Sequence, residues 1–277
     1  EAFGADHTLF AVQGTSGAIM AMIIACVRPG EKILIPRNVH RAVMTGIVLS
    51  GALPVFMTPE IDTEFGVAHG VSVSTVRRAL GEHPDARALL LVNPTYFGVV
   101  SDLQAIVEVA HERDVPVLVD EAHGAHLYFH PSLPMSAMAA GADVAATSVH
   151  KLGGSLTQSS VLNVRNGFVN PQRIQAVLSM LTTTSTSYLL LASLDAARKQ
   201  LATRGREMLD AVIALAEWAR DEINAIPGLC CLGKKDVGSL SSSHGYDPTK
   251  LFISVKGLGL SGLEVEQLLR DRYRIEI

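Results

Sequence analysis

The sequence is poor in the features that mark membrane, secreted and nucleic-acid-binding proteins. Its longest uninterrupted apolar run, Ala18 to Val27, has ten residues, well short of the roughly 20 that a membrane-spanning helix needs. At the start, EAFGADH, no basic segment leads into an apolar one, so nothing reads as a secretory signal. Basic residues are not in excess: 23 Lys and Arg stand against 27 Asp and Glu, a net charge of -4. That balance argues against nucleic acid as a partner. The three cysteines, Cys26, Cys230 and Cys231, have no metal-ligand spacing and form no even disulfide framework, which favours a reducing, cytoplasmic setting. Aromatic residues make up 5% and charged residues 18% of the 277, whereas AVILMFWYC supply 48% and the mean hydropathy is +0.28. A chain of this kind is expected to bury a large core without entering a membrane.

From the start to about Val164, short apolar runs alternate with helical patterns, as in a parallel sheet with crossover helices. The expected strands are Thr8 to Val12, Lys32 to Ile35, Leu53 to Met57, Ala88 to Val92, Pro116 to Val119, Val144 to Thr147 and Ser159 to Val164. Helices are expected over Gly17 to Val27, His40 to Ser50, Ser72 to Gly81 and Ser101 to Arg113. The fold class is therefore α/β, and sites in such sheets lie off the carboxyl ends of the strands. Beyond Pro171 come two helices, Gln172 to Leu181 and Tyr188 to Ile226. A Gly/Ser/Lys-rich loop follows (Gly233 to Gly245), then a strand (Lys250 to Lys256), a helix (Ser261 to Arg272) and an alternating RYRIEI that reads as a strand. Glu1 reads as the end of a helix, so both ends are expected to be truncated relative to a complete fold.

Three places carry chemistry. Lys151, in ATSVHKLGGSLTQSS, follows an apolar strand and is set among Ser, Thr, Gly and His, whereas the other six lysines read as solvated charges. A partly desolvated amine there would favour the neutral form that Schiff-base chemistry needs; the alternative is a lysine that merely ends a strand. Asp120 and Glu121 close the apolar strand of VPVLVDEAHGAH, 31 and 30 residues before Lys151, where an acid could equally cap a helix. Two strands of one parallel sheet would bring Asp120 and Lys151 to the same edge. The turn VQGTSGAIMAM runs from a strand through Gly14, Thr15, Ser16 and Gly17 into a helix. Free N–H groups and two hydroxyls there would hold a phosphate, although the turn matches neither a Walker loop nor G-x-G-x-x-G. A buried acid, a lone amine and a phosphate turn together suit pyridoxal phosphate.

With these blocks in place the chain resembles the fold-type I pyridoxal-phosphate enzymes, and among them the Orn/Lys/Arg decarboxylase family in its short bacterial form. The resemblance runs over essentially the whole chain, through VQGTSG, PRNVHRAV, LVNPTYFGVVSDL, VLVDEAHGAHLYF, SVHKLGGSLTQSS, TTTSTSYLLLASLD and YDPTKLFISVKGLGLSGLEVEQLL. It implies a transferase-like large domain with a mostly parallel sheet and bridging helices over residues 1–227, and the beginning of a smaller α+β domain over 228–277. Carried across by motif, Lys151 would bond pyridoxal 5′-phosphate, with Ser148 and His150 beside it. Gly14, Thr15 and Ser16 would take the phosphate, Asp120 the ring nitrogen, and Ala122 and His40 the two ring faces. His123 would approach the ring's phenolic oxygen or the substrate carboxylate, and Glu121 would point away. Asn93 would either line the pocket or serve its own turn. The implied activity is decarboxylation of a basic L-amino acid, arginine first, then lysine or ornithine, toward polyamines. Lys151 or His150 would return a proton. A homodimer is implied, with the hydroxyl-rich segment Thr182 to Ser187 reaching the neighbour's phosphate. Two alternatives stay open: an enzyme condensing an amino acid with an acyl-CoA, since D-E-A-H-G resembles that group too, and a non-catalytic homologue.

Overall fold

The computed structural model describes residues 2–238 and 240–276; Glu1, read above as the end of a helix, lies outside them. Seven strands form the central sheet: β1 (His7–Ala11), β2 (Lys32–Pro36), β3 (Leu53–Met57), β4 (Ala86–Val92), β5 (Val117–Asp120), β6 (Val144–Thr147) and β7 (Ser160–Val164). Their spatial order is β1-β7-β6-β5-β4-β2-β3. The interior strands carry runs such as ILI, LLL and VLV that are buried on both faces. Such two-sided burial marks a sheet covered by helices above and below.

Helices α1 (Gly14–Cys26), α2 (Arg41–Ser50), α3 (Val73–Glu82), α4 (Leu103–His111), α5 (Val149–Leu152), α6 (Pro171–Leu181) and α7 (Tyr188–Asn224) follow in chain order. One core layer joins α1, α2 and α6 to the sheet through Ile19, Met22, Ile23, Ile47 and Ile174. The other joins α3 and α4 to the opposite face through Val76, Leu80, Ile106 and Val107. Helix α1 is apolar around its whole circumference because it lies between the sheet and α2 and α6.

The strands β2, β3, β4, β5 and β6 pair in parallel, but β7 is antiparallel to both β6 and β1. The sheet is thus mostly parallel, as expected, with β7 as the reversed strand. The link between β6 and β7 holds only the four-residue α5, too little to cross the sheet, so the chain turns back beside its own strand. Because β1 is antiparallel to β7, it runs in the direction of β6, and the carboxyl ends of β1, β2, β4, β5 and β6 meet at one edge. Register places Asp120 beside both Val92 and Ala146.

Helix α7, of 37 residues, would extend about 55 Å at 1.5 Å per residue. Its buried residues Leu194, Ala197, Leu201, Gly205 and Leu209 recur every three or four positions. Two short helices, α8 (Lys234–Val237) and α9 (Gly262–Leu268), come after it. The strand expected over Lys250 to Lys256 shrinks to Ile253–Ser254, paired with Cys230–Cys231. The final RYRIEI is not a strand in its described part: Leu269–Tyr273 continue α9 as a wider helical turn, since Leu269 at the end of α9 keeps right-handed helical backbone and the turn is closed only by the left-handed Arg274. Ile277 lies outside the described residues.

Candidate active site

Seven chain segments surround a cavity of about 660 Å³, five of them following the carboxyl ends of β1, β2, β4, β5 and β6. Ten of the residues singled out in sequence line it: Gly14, Thr15, Ser16, His40, Asp120, Ala122, His123, Ser148, His150 and Lys151. Asn93 does not; it is buried, and its Oδ1 accepts the Ser101 N–H at 2.9 Å.

Helix α1 begins three residues earlier than its sequence pattern suggests, so Gly14, Thr15 and Ser16 form its first turn rather than a loop before it. Gly14 makes this possible with φ +81°, and its N–H donates to the Gln158 carbonyl at 2.8 Å. Gln13 offers no side-chain cap, which leaves first-turn N–H groups at the positive end of the helix for an anion. Three buried hydroxyls gather there: Thr15 Oγ1 bonds the Ser148 hydroxyl and lies 2.5 Å from Ser160 Oγ.

Asp120 ends β5 and is almost fully buried, with Oδ1 accepting the Ala122 N–H at 3.1 Å. Burial pushes its carboxyl above the usual range, while the Ala122 N–H and the charges of His40 and Lys151 pull it back. A carboxylate so placed holds a proton on a basic neighbour strongly. Glu121 faces away, as the alternation of the strand end suggested. It accepts from the Tyr128 hydroxyl, from Ala137 N at 2.7 Å and from Thr147 Oγ1 at 2.9 Å. Burial raises its carboxyl to about 7 against those three donors.

His40 caps α2, with Nδ1 accepting the Ala42 N–H at 3.1 Å, and also lines the cavity; the two readings of this residue are compatible. His150 is fixed through Nδ1, 2.9 Å from the Ser159 carbonyl, which makes Nδ1 the protonated nitrogen. Lys151 stands on α5 with Nζ 3.2 Å from His123 Nε2. Sequence placed this amine in a partly desolvated setting, yet Lys151 is exposed. The reason is local: α5 is a single turn at the rim of the sheet, and Lys151 borders both the cavity and a neighbouring depression.

His123 has its imidazole driven down to about 3, by burial first and then by the charges of Lys151, Lys250 and His40. It is therefore neutral at physiological pH. Lys250 reads in sequence as one of six solvated lysines, and the structure corrects this: it is half-buried, with Nζ 3.4 Å from His123 Nδ1. No local pattern marks it, because its only distinguishing feature is the fold that returns residue 250 to residue 123. Thr95, Tyr96, Thr157 and Gln158 also line the cavity and were not anticipated.

This donor set suits one kind of ligand: an anion at the start of α1, a basic ring nitrogen opposite Asp120, and a carbonyl carbon within reach of Lys151. Among the described residues no group of three or more His, Cys, Asp or Glu is arranged to hold a metal ion, and no helix is long and apolar enough to cross a membrane.

A family model described as Orn/Lys/Arg decarboxylase, major domain, matches residues 1–272. An arginine decarboxylase of Halalkalibacterium halodurans is 64% identical over 277 residues, which is 100% of this chain and 56% of that protein. One from Bacillus subtilis is 63% identical over the same 277 residues, again 100% and 56%. The chain thus spans about half the length of the curated relatives it matches. Among solved structures, lysine decarboxylase A from Pseudomonas aeruginosa superposes with a TM-score of 0.82 at 23% identity, covering 98% of this chain and 44% of that one. At that identity it speaks to the fold alone, which is the fold-type I arrangement.

Proposed function

The chain belongs to the Orn/Lys/Arg decarboxylase family, and from that premise we propose that it decarboxylates a basic L-amino acid, L-arginine first, with pyridoxal 5′-phosphate as cofactor. The product would be a polyamine or its precursor. One observation carries the reading: Lys151, Asp120 and the first turn of α1, far apart in sequence, line a single cavity.

Lys151 would hold the cofactor through its amine, Asp120 would face the ring nitrogen, and Ala122 and His40 would flank the ring. Gly14, Thr15, Ser16 and Ser148 would receive the phosphate. When bound, the cofactor supplies an electron sink for the pair left behind as carbon dioxide departs. Asp120, a buried carboxylate, would hold a proton on the ring nitrogen. The hydroxyl cluster and helix terminus orient the anion and leave the reacting end at Lys151. Lys151 and His150 are the candidate proton donors. His150 has Nδ1 committed to the Ser159 carbonyl, so only its Nε2 can serve. His123, neutral, can hydrogen-bond but has no spare proton to give as an acid.

A cytoplasmic homodimer completes the proposal. The segment from Thr182 to Ser187 is largely exposed and none of it lines the chain's own cavity, which suits a role in a neighbour's site.

The test is direct. Purified full-length protein should release carbon dioxide from arginine faster than from lysine or ornithine, without coenzyme A. It should be yellow and give a borohydride-trapped cofactor adduct that Lys151→Ala abolishes; an unchanged adduct in that variant would refute the assignment.

A further inference from the structure

A second depression, of about 490 Å³, adjoins the cavity and shares Tyr96, Phe97, His123 and Lys151 with it. Its far wall is Lys250, Leu251 and Phe252. Lys250 is unusual there. Its amine forms no ion pair with any carboxylate among the described residues. Asp247, whose charge acts on it, is already committed: Oδ2 to His126 Nε2 at 2.8 Å, and Oδ1 to the Thr249 hydroxyl at 2.7 Å and the Thr249 N–H at 3.0 Å. The amine instead lies 3.4 Å from His123 Nδ1 and 5.9 Å from the centre of the Tyr96 ring. Burial, and then Lys151, pull its proton affinity down, with Asp247 opposing.

The lysine is also held firmly. Its carbonyl accepts from Arg220 Nη2 at 2.7 Å and from the Tyr246 hydroxyl at 2.8 Å. Its stem lies on Gly98, where an added Cβ would come within 2.9 Å of Lys250 Cγ. A half-buried cation that is pre-set but has no anionic partner is poised to receive an anion.

A basic L-amino acid carries one anionic group, the α-carboxylate, one bond from the carbon that bears the amine exchanging with Lys151. The depression begins at Lys151 and ends at Lys250, so the carboxylate can lie between them, while the two lysines repel a guanidinium or ammonium side chain from the same place. We propose that the Lys250 ammonium, backed by the imidazole of His123, is the subsite that anchors the substrate's α-carboxylate and so sets which end of the substrate enters. The proposal rests on the decarboxylase reading above.

The test uses full-length holoprotein, wild type and the Lys250→Met and Lys250→Arg variants, with cofactor absorbance as the readout. Two probes are titrated: L-arginine, read by rapid mixing before turnover, and agmatine, the same molecule without its carboxylate. Lys250→Met should raise the half-saturating concentration of arginine roughly 10- to 100-fold and leave that of agmatine within about twofold, because one charge-assisted hydrogen bond is lost. Lys250→Arg should recover most of the arginine response. Equal losses for both probes, or no loss for either, would overturn the subsite while leaving the decarboxylase reading standing. A wild-type spectrum that answers to neither probe overturns that reading and the subsite with it.

Discussion

Burial raises the proton affinity of Asp120 and Glu121 alike, but what surrounds each decides its use. Asp120 receives one backbone N–H and faces cationic groups across the cavity. Asp120→Asn removes the carboxylate and keeps the shape, so turnover should fall roughly 100-fold or more. The thermal midpoint of the cofactor-free protein should hold or rise, since a buried charge is gone; a normal turnover number in the variant would remove Asp120 from its role. Glu121 is satisfied by three donors from its own chain, and its effect belongs to stability. Its carboxyl sits at about 7 when folded against 4.5 ordinarily, so the folded state holds its proton longer than the unfolded one. That contribution is complete below about 4.5 and is lost as pH rises to about 7, at up to about 1.4 kcal/mol per pH unit. His123 acts oppositely: with its value near 3 rather than 6.5, its contribution is present above 6.5 and is lost as pH falls toward 3. The two slopes oppose each other between 4.5 and 6.5, so wild-type melting alone would conceal both. Melting curves of Glu121→Gln against wild type from pH 4 to 8 should diverge, with the variant gaining relative stability as pH rises. A pH-independent difference would mean that Glu121 keeps one protonation state throughout.

At the scale of elements, α1 and α5 carry the site and were legible to different degrees. The apolar strands announced themselves through ILI, LLLV and VLV, and their carboxyl ends led to Asp120 and Lys151 without any knowledge of pairing. The first turn of α1 was less visible, because Gly-Thr-Ser-Gly is written like a loop; only the left-handed Gly14 and its bond to the Gln158 carbonyl let the helix start there. The reversal of β7 was not legible at all, since an antiparallel buried strand and a parallel one carry the same apolar residues. Lys250 was invisible for a similar reason: a site residue supplied by a distant return of the chain has no local pattern. The helix terminus yields its own prediction. Thr15→Val keeps the volume and removes a hydroxyl that bonds Ser148 and Ser160. The dissociation constant for pyridoxal 5′-phosphate, from absorbance titration of cofactor-free protein, should rise about tenfold, the worth of one hydrogen bond to a charged group. Gly14→Ala meets no atom within 4 Å of its new Cβ, so its cost is conformational, about 1 kcal/mol of stability, readable in denaturant unfolding.

Across the whole molecule, the later residues return to the edge of the sheet where the site lies. Gly245–Tyr246 pair with Val99–Val100, Ser242 N donates to Glu60 Oε2 at 2.7 Å, and Asp247 meets His126. The same chain leaves its hydroxyl-rich segment outside. Thr183 to Ser187 are exposed between α6 and α7, flanked by Met180 at 81%, Tyr188 at 84% and Leu189 at 78% exposure. Large apolar side chains this open flank a polar segment that does not line the candidate site of its own chain, which supports the proposal that this surface is shared between two copies. If the segment completes a partner's phosphate site, two inactive proteins can rescue each other. Lys151→Ala disables the site in its own chain but keeps a normal segment; the double variant Thr184→Asp, Ser185→Asp keeps Lys151 and repels the phosphate it reaches. Mixed in equal amounts, with subunit exchange complete, half of the dimers pair one of each, and each such dimer holds one intact site. Activity should therefore return to about a quarter of the wild-type value, with light scattering reporting a dimer. If the segment acts within its own chain, the mixed dimer still contains one Lys151-deficient site and one segment-deficient site, and activity stays at the sum of the two parents.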